Sequence, residues 1–111
     1  MTDQEWEIAY YKTQGGQFPF RDWFNSLRDL KARAIIDTQL GRLSLGNFGK
    51  CAVLGPGIYE LKIYYGPGYR IYFGRTGSKI ILLLCGGDKS TQSADIRTAD
   101  RYWQNFRERR S

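Results

Sequence analysis

Hydrophobic and polar positions alternate along residues 58–73, IYELKIYYGPGYRIYF, on both sides of a Gly-Pro-Gly turn. A period of two is typical of β-strands, and Gly and Pro supply the backbone angles of a tight reversal. The pattern therefore predicts a β-hairpin with two unlike faces. The residues of its apolar face are Tyr59, Leu61, Ile63, Tyr69, Ile71 and Phe73. The residues of its polar face are Glu60, Lys62, Tyr64, Arg70 and Tyr72.

Three other segments have the spacing of amphipathic helices. Residues 18–27 place four apolar side chains on one helical face, with Pro19 near the start. Asp29 can cap a second helix that runs to about Leu43. A third helix is predicted from about Ser93 to Arg107, followed by a frayed tail over residues 108–111. Its apolar face carries Ile96, Ala99, Trp103 and Phe106.

The remaining apolar segments predict strands over residues 6–11, 50–54 and 79–85. The last of these is apolar on both faces, which is typical of a central strand. The resulting order, β-α-α-β-β-β-β-α, predicts one α+β domain over residues 1–111. In this fold the two helices of the N-terminal half pack on the apolar side of a mainly antiparallel sheet, and a helix ends the chain. The polar hairpin face is then expected on the open side of the sheet.

Charge and composition narrow the class of partner. The 111 residues are 41% hydrophobic and 15% aromatic, as expected for a folded chain, and they carry a net charge of +6. Residues 1–30 have a net charge of −2 and residues 31–111 one of +8, which favours a nucleic acid or an acidic protein as partner. No apolar run approaches the roughly 18 residues of a membrane helix, and the N-terminus does not resemble a signal peptide. We therefore expect a cytoplasmic protein without a membrane partner.

The chain has no histidine. This excludes Ser-His-Asp, Cys-His and His-metal mechanisms, and leaves acid-base chemistry to Glu, Asp, Lys, Tyr or Cys. Cys51 and Cys85 lack metal-ligand spacing, and we expect them to be buried thiols in a reducing compartment. No cluster of carboxylates suits Mg²⁺, so neither a metal nor another cofactor is predicted. A basic cleft of this kind can still cleave RNA, because the 2′-hydroxyl already lies beside the phosphorus.

Three motifs occur in an order known from one family: GIYELKIYYGPGYRIYF, an apolar strand followed by GGDKSTQ, and the helix with Ile96 and Ala99. On these motifs nearly the whole chain resembles the toxins of the RelE/ParE superfamily, in the HigB-like branch of addiction-module killer proteins. The resemblance implies the toxin of a type II toxin-antitoxin system, of the kind that stabilises plasmids. Ribonuclease members are mRNA interferases that inhibit translation at the ribosome. Their cognate antitoxin, here expected to carry a helix-turn-helix DNA-binding domain, neutralises them.

The resemblance also implies roles for four residues of a metal-independent endoribonuclease. Arg70 would bind the scissile phosphate and stabilise its developing charge. Lys62 and Lys89 would be the further basic residues of the site. Glu60 stands where some ribonuclease members have a second lysine, and it would either be the base for the 2′-hydroxyl or pair with Lys62.

RNA binding is expected to involve two further pairs of residues. The tyrosine that some members place before the last helix has no counterpart in residues 90–96, so Tyr64 or Tyr72 would take its stacking role. Arg107 and Arg109 would attract RNA electrostatically.

Two other functions remain open at this point. The chain could be a ParE-type, non-enzymatic inhibitor of DNA gyrase, or a degenerate toxin that only binds its antitoxin. A charged face of a sheet can also be merely solvated.

Overall fold

A computed structural model describes residues 5–110 of the chain. The sheet strands are β1 (Glu7–Tyr10), β2 (Cys51–Gly55), β3 (Ile58–Ile63), β4 (Tyr69–Arg75) and β5 (Ile80–Asp88). The helices are α1 (Pro19–Ser26), α2 (Leu30–Ser44) and α3 (Gln92–Arg110), with a short 3-10 helix at Lys89–Thr91 before α3. The predicted α+β class is confirmed. No helix within residues 5–110 is both long enough and apolar enough to cross a membrane.

The five strands form one mixed sheet in the order β1-β5-β4-β3-β2. Strands β2 to β5 follow one another as an antiparallel meander, as the sequence predicts. Strand β1 pairs with β5 in parallel at the edge of the sheet. The predicted interior position of β5 is therefore confirmed, since it lies between β1 and β4.

Helices α1 and α2 cover the apolar face of the hairpin, as predicted. Phe20 of α1 and Ile36 of α2 are almost completely buried in a cluster that includes Ile71 and Phe73 of β4. Helix α2 begins where the sequence indicates, because the Asp29 carboxylate accepts hydrogen bonds from the first backbone amides of the helix, at 3.0 and 3.2 Å.

Helix α3 covers much of the other face, and here the expectation of an open polar side is wrong. Ala99 and Trp103 pack in a second core cluster with Tyr72 of β4 and Leu82 of β5. The Trp103 ring lies so close to Gly74 that a Cβ atom at this position would overlap it. The sheet is thus enclosed between two helical layers, because the apolar stripe of α3 needs a surface that α1 and α2 do not occupy.

The predicted ends of two elements are also corrected. Strand β5 continues three residues beyond Cys85, to Asp88. Residues 108–110, predicted as a frayed tail, belong to α3, since Glu and Arg are good helix formers. Residues 1–4, on which the expectation of no signal peptide partly depends, and Ser111 lie outside the described residues.

Candidate functional site

A cleft of about 380 Å³ opens at the end of the hairpin. Its lining residues are Tyr64, Tyr65, Gly66, Pro67, Gly68, Arg70 and Lys89. The turn that forms one wall needs glycine, because Gly66 and Gly68 have φ angles of 56° and 82°. The other wall is the short 3-10 helix after β5. The structure therefore brings together three residues predicted from sequence, namely Arg70, Lys89 and Tyr64.

Arg70 is the least exposed cation of this cleft. Its side chain is 7% exposed, and no group within residues 5–110 accepts a hydrogen bond from its buried Nε. In the sheet it stands opposite Lys62 of β3 and Gly87 of β5. Lys62 is half-buried and adds a second positive charge on the same face. Because the Arg70 side chain also lines the cleft, its guanidinium can bind an anion that enters there.

Glu60 and Tyr72 form the neighbouring cross-strand pair, behind Arg70 and away from the cleft lining. Glu60 is 2% exposed, and its Oε2 accepts a hydrogen bond from Gln92 Nε2 of α3 at 2.7 Å. The Tyr72 hydroxyl is buried and has no hydrogen-bond partner of normal geometry within the described chain. Burial raises the pKa of Tyr72 far above its ordinary value, and the nearby Glu60 carboxylate raises it further.

The burial of Glu60 and Tyr72 contradicts the expectation that both lie on an open face of the sheet. Tyr72 cannot offer its ring to an RNA base, because α3 packs over it. Tyr64, in contrast, is 79% exposed beside the cleft and can act as a stacking surface. The Glu60 carboxylate lies in the interior, under Gln92, rather than on an open sheet face.

Arg107 and Arg109 lie at the opposite end of α3 from the cleft. The Arg109 side chain donates a hydrogen bond to the Lys12 carbonyl at 2.9 Å, and the Arg107 guanidinium lies 6.0 Å from the Trp103 ring centroid. At a helical rise of about 1.5 Å per residue, they are separated from Gln92 by roughly 22–26 Å along the helix. The structure therefore does not bring them into one site with Arg70.

Two residues of the cleft surroundings were missed by the sequence analysis. Gln92 contacts Glu60, and Tyr65 donates a hydrogen bond to the Asp29 carboxylate at 2.9 Å, which ties the hairpin turn to the start of α2. Gly87, a glycine inside β5, is a sign in the sequence that another element packs closely against this strand. A Cβ atom there would overlap the Asp95 carboxylate, so a glycine inside this strand indicates close approach by another element.

The arrangement suits phosphate binding more than other chemistry. Two cations and an exposed phenol border the same cleft, and no histidine is present in the sequence. Across residues 5–110, no three Cys, Asp or Glu side chains converge as metal ligands would. Both cysteines are free; burial raises the pKa of Cys51 to about 11 and that of Cys85 to about 12, which keeps both thiols protonated near neutral pH.

Comparison with known proteins finds a relative of this chain, whereas no family model matches it. A protein of Haemophilus influenzae, described as uncharacterized, is 45% identical to it over 80 residues. The match covers 72% of this chain and 81% of the relative. The chain therefore belongs to the same family as this Haemophilus influenzae protein.

Proposed function

We propose that the protein is the toxin of a type II toxin-antitoxin module and acts in the cytoplasm as a metal-independent mRNA endoribonuclease of the RelE/ParE superfamily, in its HigB-like branch. The observation that carries the proposal is the buried side chain of Arg70, whose Nε has no hydrogen-bond partner within residues 5–110, at a cleft shared with Lys89 and Tyr64. A buried cation with unused donor capacity costs free energy unless a ligand compensates it. A phosphate group supplies that compensation.

The cleft suits RNA because the nucleophile comes with the substrate. The 2′-oxygen forms a bond to phosphorus while the bond from phosphorus to the 5′-oxygen breaks, which leaves a 2′,3′-cyclic phosphate. Arg70 binds the non-bridging oxygens and stabilises the charge that develops on them, with Lys62 adding positive potential. The exposed ammonium of Lys89 is placed to give a proton to the departing 5′-oxygen.

Tyr64 is the proposed base-stacking residue. Its exposed ring borders the cleft, and stacking on an aromatic ring tolerates every base. The proton of the 2′-hydroxyl leaves to solvent or to a base that the substrate complex brings near. Glu60 is held by Gln92 away from the cleft lining, so we assign it to the support of the site rather than to proton transfer.

Induction of the protein in a bacterium tests the function. We expect growth to stop and protein synthesis to fall before DNA is affected, and cleaved mRNA to carry 2′,3′-cyclic phosphate ends that form equally in EDTA. Double-strand breaks and filamentous cells with continued protein synthesis would instead identify a gyrase inhibitor. Growth without any defect would identify a degenerate toxin that only binds its antitoxin.

Arg70 variants test the site. We expect Arg70→Ala to abolish toxicity and Arg70→Lys to retain part of it, because removal of one preorganised donor typically costs about 10²–10³ in rate. Arg42→Ala is the matched control, since Arg42 is an exposed arginine of α2 in the opposite helical layer. Because Arg70 is buried, thermal unfolding of each purified variant must accompany the assay. A folded, fully toxic Arg70→Ala protein would refute the assignment.

The proposed partner besides mRNA and the ribosome is a cognate antitoxin with a helix-turn-helix domain. Opposite charge speeds association, so we propose that an acidic antitoxin segment covers the cleft. The neighbouring gene product can be titrated against the Lys62→Ala/Arg70→Ala double variant over a salt series. Weaker binding with a flatter salt dependence than wild type is expected, and an unchanged affinity and salt slope would place the antitoxin elsewhere.

A further inference from the structure

A side-chain hydrogen bond between Gln92 and Glu60 attaches the first turn of α3 to the interior of the sheet. Gln92 Nε2 donates to Glu60 Oε2 at 2.7 Å, across 32 residues of sequence. Glu60 is 2% exposed, so water cannot readily replace this donor. A buried carboxylate that loses a hydrogen-bond donor pays a full desolvation penalty, and the bond therefore resists opening.

The first turn of α3 also determines the position of Lys89. The chain passes from β5 into the 3-10 helix Lys89–Thr91, which Asp88 caps by accepting a hydrogen bond from the Ser90 amide at 2.8 Å, and α3 follows without a linker. Asp95 of α3 bonds to the Thr91 hydroxyl and packs over Gly87. The 3-10 helix is thus held between the end of β5 and the first turn of α3.

The stem of Lys89 lies close to the hairpin turn, and Lys89 also lines the cleft. Its Cβ lies 3.6 Å from the position that a Cβ would take at Gly68. A small shift of the first turn of α3 would change the separation of the two cleft walls. That separation sets how far the Lys89 ammonium is from the Arg70 guanidinium.

We propose that Gln92 is a positioning residue: through Glu60 it anchors the first turn of α3 and so fixes Lys89 opposite Arg70 at the spacing that holds a phosphodiester. The identity of the ligand rests on the proposed function, whereas the anchoring of the turn does not. Gln92 is not among the residues that line the cleft.

A carboxylate exchange between the two positions tests this directly. Gln92→Glu places a second carboxylate against Glu60, and two carboxylates in one site cannot both ionise cheaply. Glu60→Gln/Gln92→Glu exchanges the two groups, so one amide again donates to one carboxylate. Gln104→Glu is the matched control, because Gln104 is an exposed glutamine of the same helix.

The groups that face Glu60 must be considered in any comparison at different pH. On β4 they are Arg70 and Tyr72, on its own strand Lys62, and on α3 Asp95; Cys85 of β5 stands opposite Tyr72. All of these are shared by wild type and the exchanged variant. Each variant is therefore compared with wild type at the same pH.

The first measurement is amide hydrogen exchange of residues 89–95 in the free protein. We expect Gln92→Glu to exchange about 10-fold faster than wild type at about pH 7.5, and to approach wild type near pH 5, where one proton can be shared. The amide exchange rates of the Glu60→Gln/Gln92→Glu variant should remain within about 2-fold of wild type at both pH values. A 2-fold difference corresponds to less than about half a kcal/mol. The proposal would be overturned if Gln92→Glu had the hydrogen exchange rates of wild type. It would also be overturned if Glu60→Gln/Gln92→Glu did not restore those rates.

The second measurement is binding of a short 2′-O-methylated RNA, which cannot be cleaved, by fluorescence anisotropy. Gln92→Glu should bind about 10-fold more weakly than wild type at about pH 7.5, a loss of about 1.4 kcal/mol. The exchanged variant should recover this affinity. Wild-type affinity in a Gln92→Glu protein whose exchange is accelerated would overturn the link from Gln92 to the cleft. If wild type fails to bind RNA while the exchange data behave as expected, the proposed function fails and the anchoring role stands.

Discussion

Gly74→Ala tests the placement of α3 on the sheet, the feature in which the structure departs most from the sequence expectation. Gly74 lies in β4 directly beneath the six-membered ring of Trp103, and an added Cβ would overlap that ring. The backbone at Gly74 does not have a positive φ angle, so alanine is not strained by its own conformation. Any destabilisation must come from the contact with Trp103.

The size of the effect follows from how firmly the ring is held. Trp103 is 4% exposed, and its indole N–H donates to the Pro56 carbonyl at 3.0 Å, so the ring cannot swing away without losing a buried hydrogen bond. Forcing an extra carbon into a packed core costs about 1–3 kcal/mol. For a domain of this size about 1 kcal/mol lowers the melting temperature by roughly 4 °C, so we expect a decrease of about 4–12 °C.

Gly41→Ala is the matched control, with an expected change of opposite sign. Gly41 lies in α2, where an added Cβ meets no atom within 4 Å. Alanine in place of glycine inside a helix stabilises it by about 0.5–1 kcal/mol. Thermal and urea unfolding of the two variants should therefore move in opposite directions.

A double-variant cycle makes the test specific to the ring. Trp103→Leu removes the overlapping atoms, so its combination with Gly74→Ala should be less destabilising than the sum of the two by at least about 0.5 kcal/mol. Equal stability of Gly74→Ala and Gly41→Ala, or simple additivity with Trp103→Leu, would refute the packing of α3 over β4.

Three further predictions concern single groups. Because burial raises the pKa of Cys85 to about 12, a thiol reagent at about pH 8 should leave it unmodified in the folded protein and modify it after unfolding; rapid labelling of the folded chain would contradict this. Hydrogen bonds from Tyr65 and from backbone amides lower the pKa of Asp29 below 3.8, so its stabilisation is present above that pH and is lost as the pH falls. Asp29→Asn should therefore flatten the loss of stability in acid, measured by urea unfolding, and an acid dependence identical to that of wild type would contradict this. Tyr64→Ala should weaken binding of single-stranded RNA roughly 10-fold without a change in melting temperature, since a stacked base contributes about 1–3 kcal/mol; unchanged binding would remove Tyr64 from the site.

Much of the secondary structure could be predicted because local patterns determine it. The period of two in the hairpin, the Gly-Pro-Gly turn and the Asp29 cap all act within a few residues of chain, and the structure confirms each. The parallel pairing of β1 with β5 joins segments about 70 residues apart, and no local pattern reports it. The predicted ends of β5 and α3 come too early in the chain. Residues 86–88 continue β5 because they pair with β4, and residues 108–110 continue α3 because Glu and Arg are good helix formers.

The site was predicted less well because a strand pattern reports faces and not what covers them. Arg70, Lys89 and Tyr64 meet at one cleft, but Glu60 and Tyr72 share the polar face with Arg70 and are covered by α3. Polarity alone suggested exposure for all of them. Only a contact from another element, such as that of Gln92 with Glu60, separates a buried polar group from a solvated one.

The apolar character of β5 on both faces already required two covering layers. Leu82 and Leu83 point to opposite sides of the sheet and belong to different core clusters. One layer was available from α1 and α2, so the stripe of Ala99 and Trp103 on α3 had to supply the other. Helix α3 begins at Gln92, three residues after Lys89 of the cleft. The same helix that completes the core therefore also determines which polar residues of the sheet remain accessible. Core packing and the geometry of the proposed site are therefore coupled through the first turn of α3.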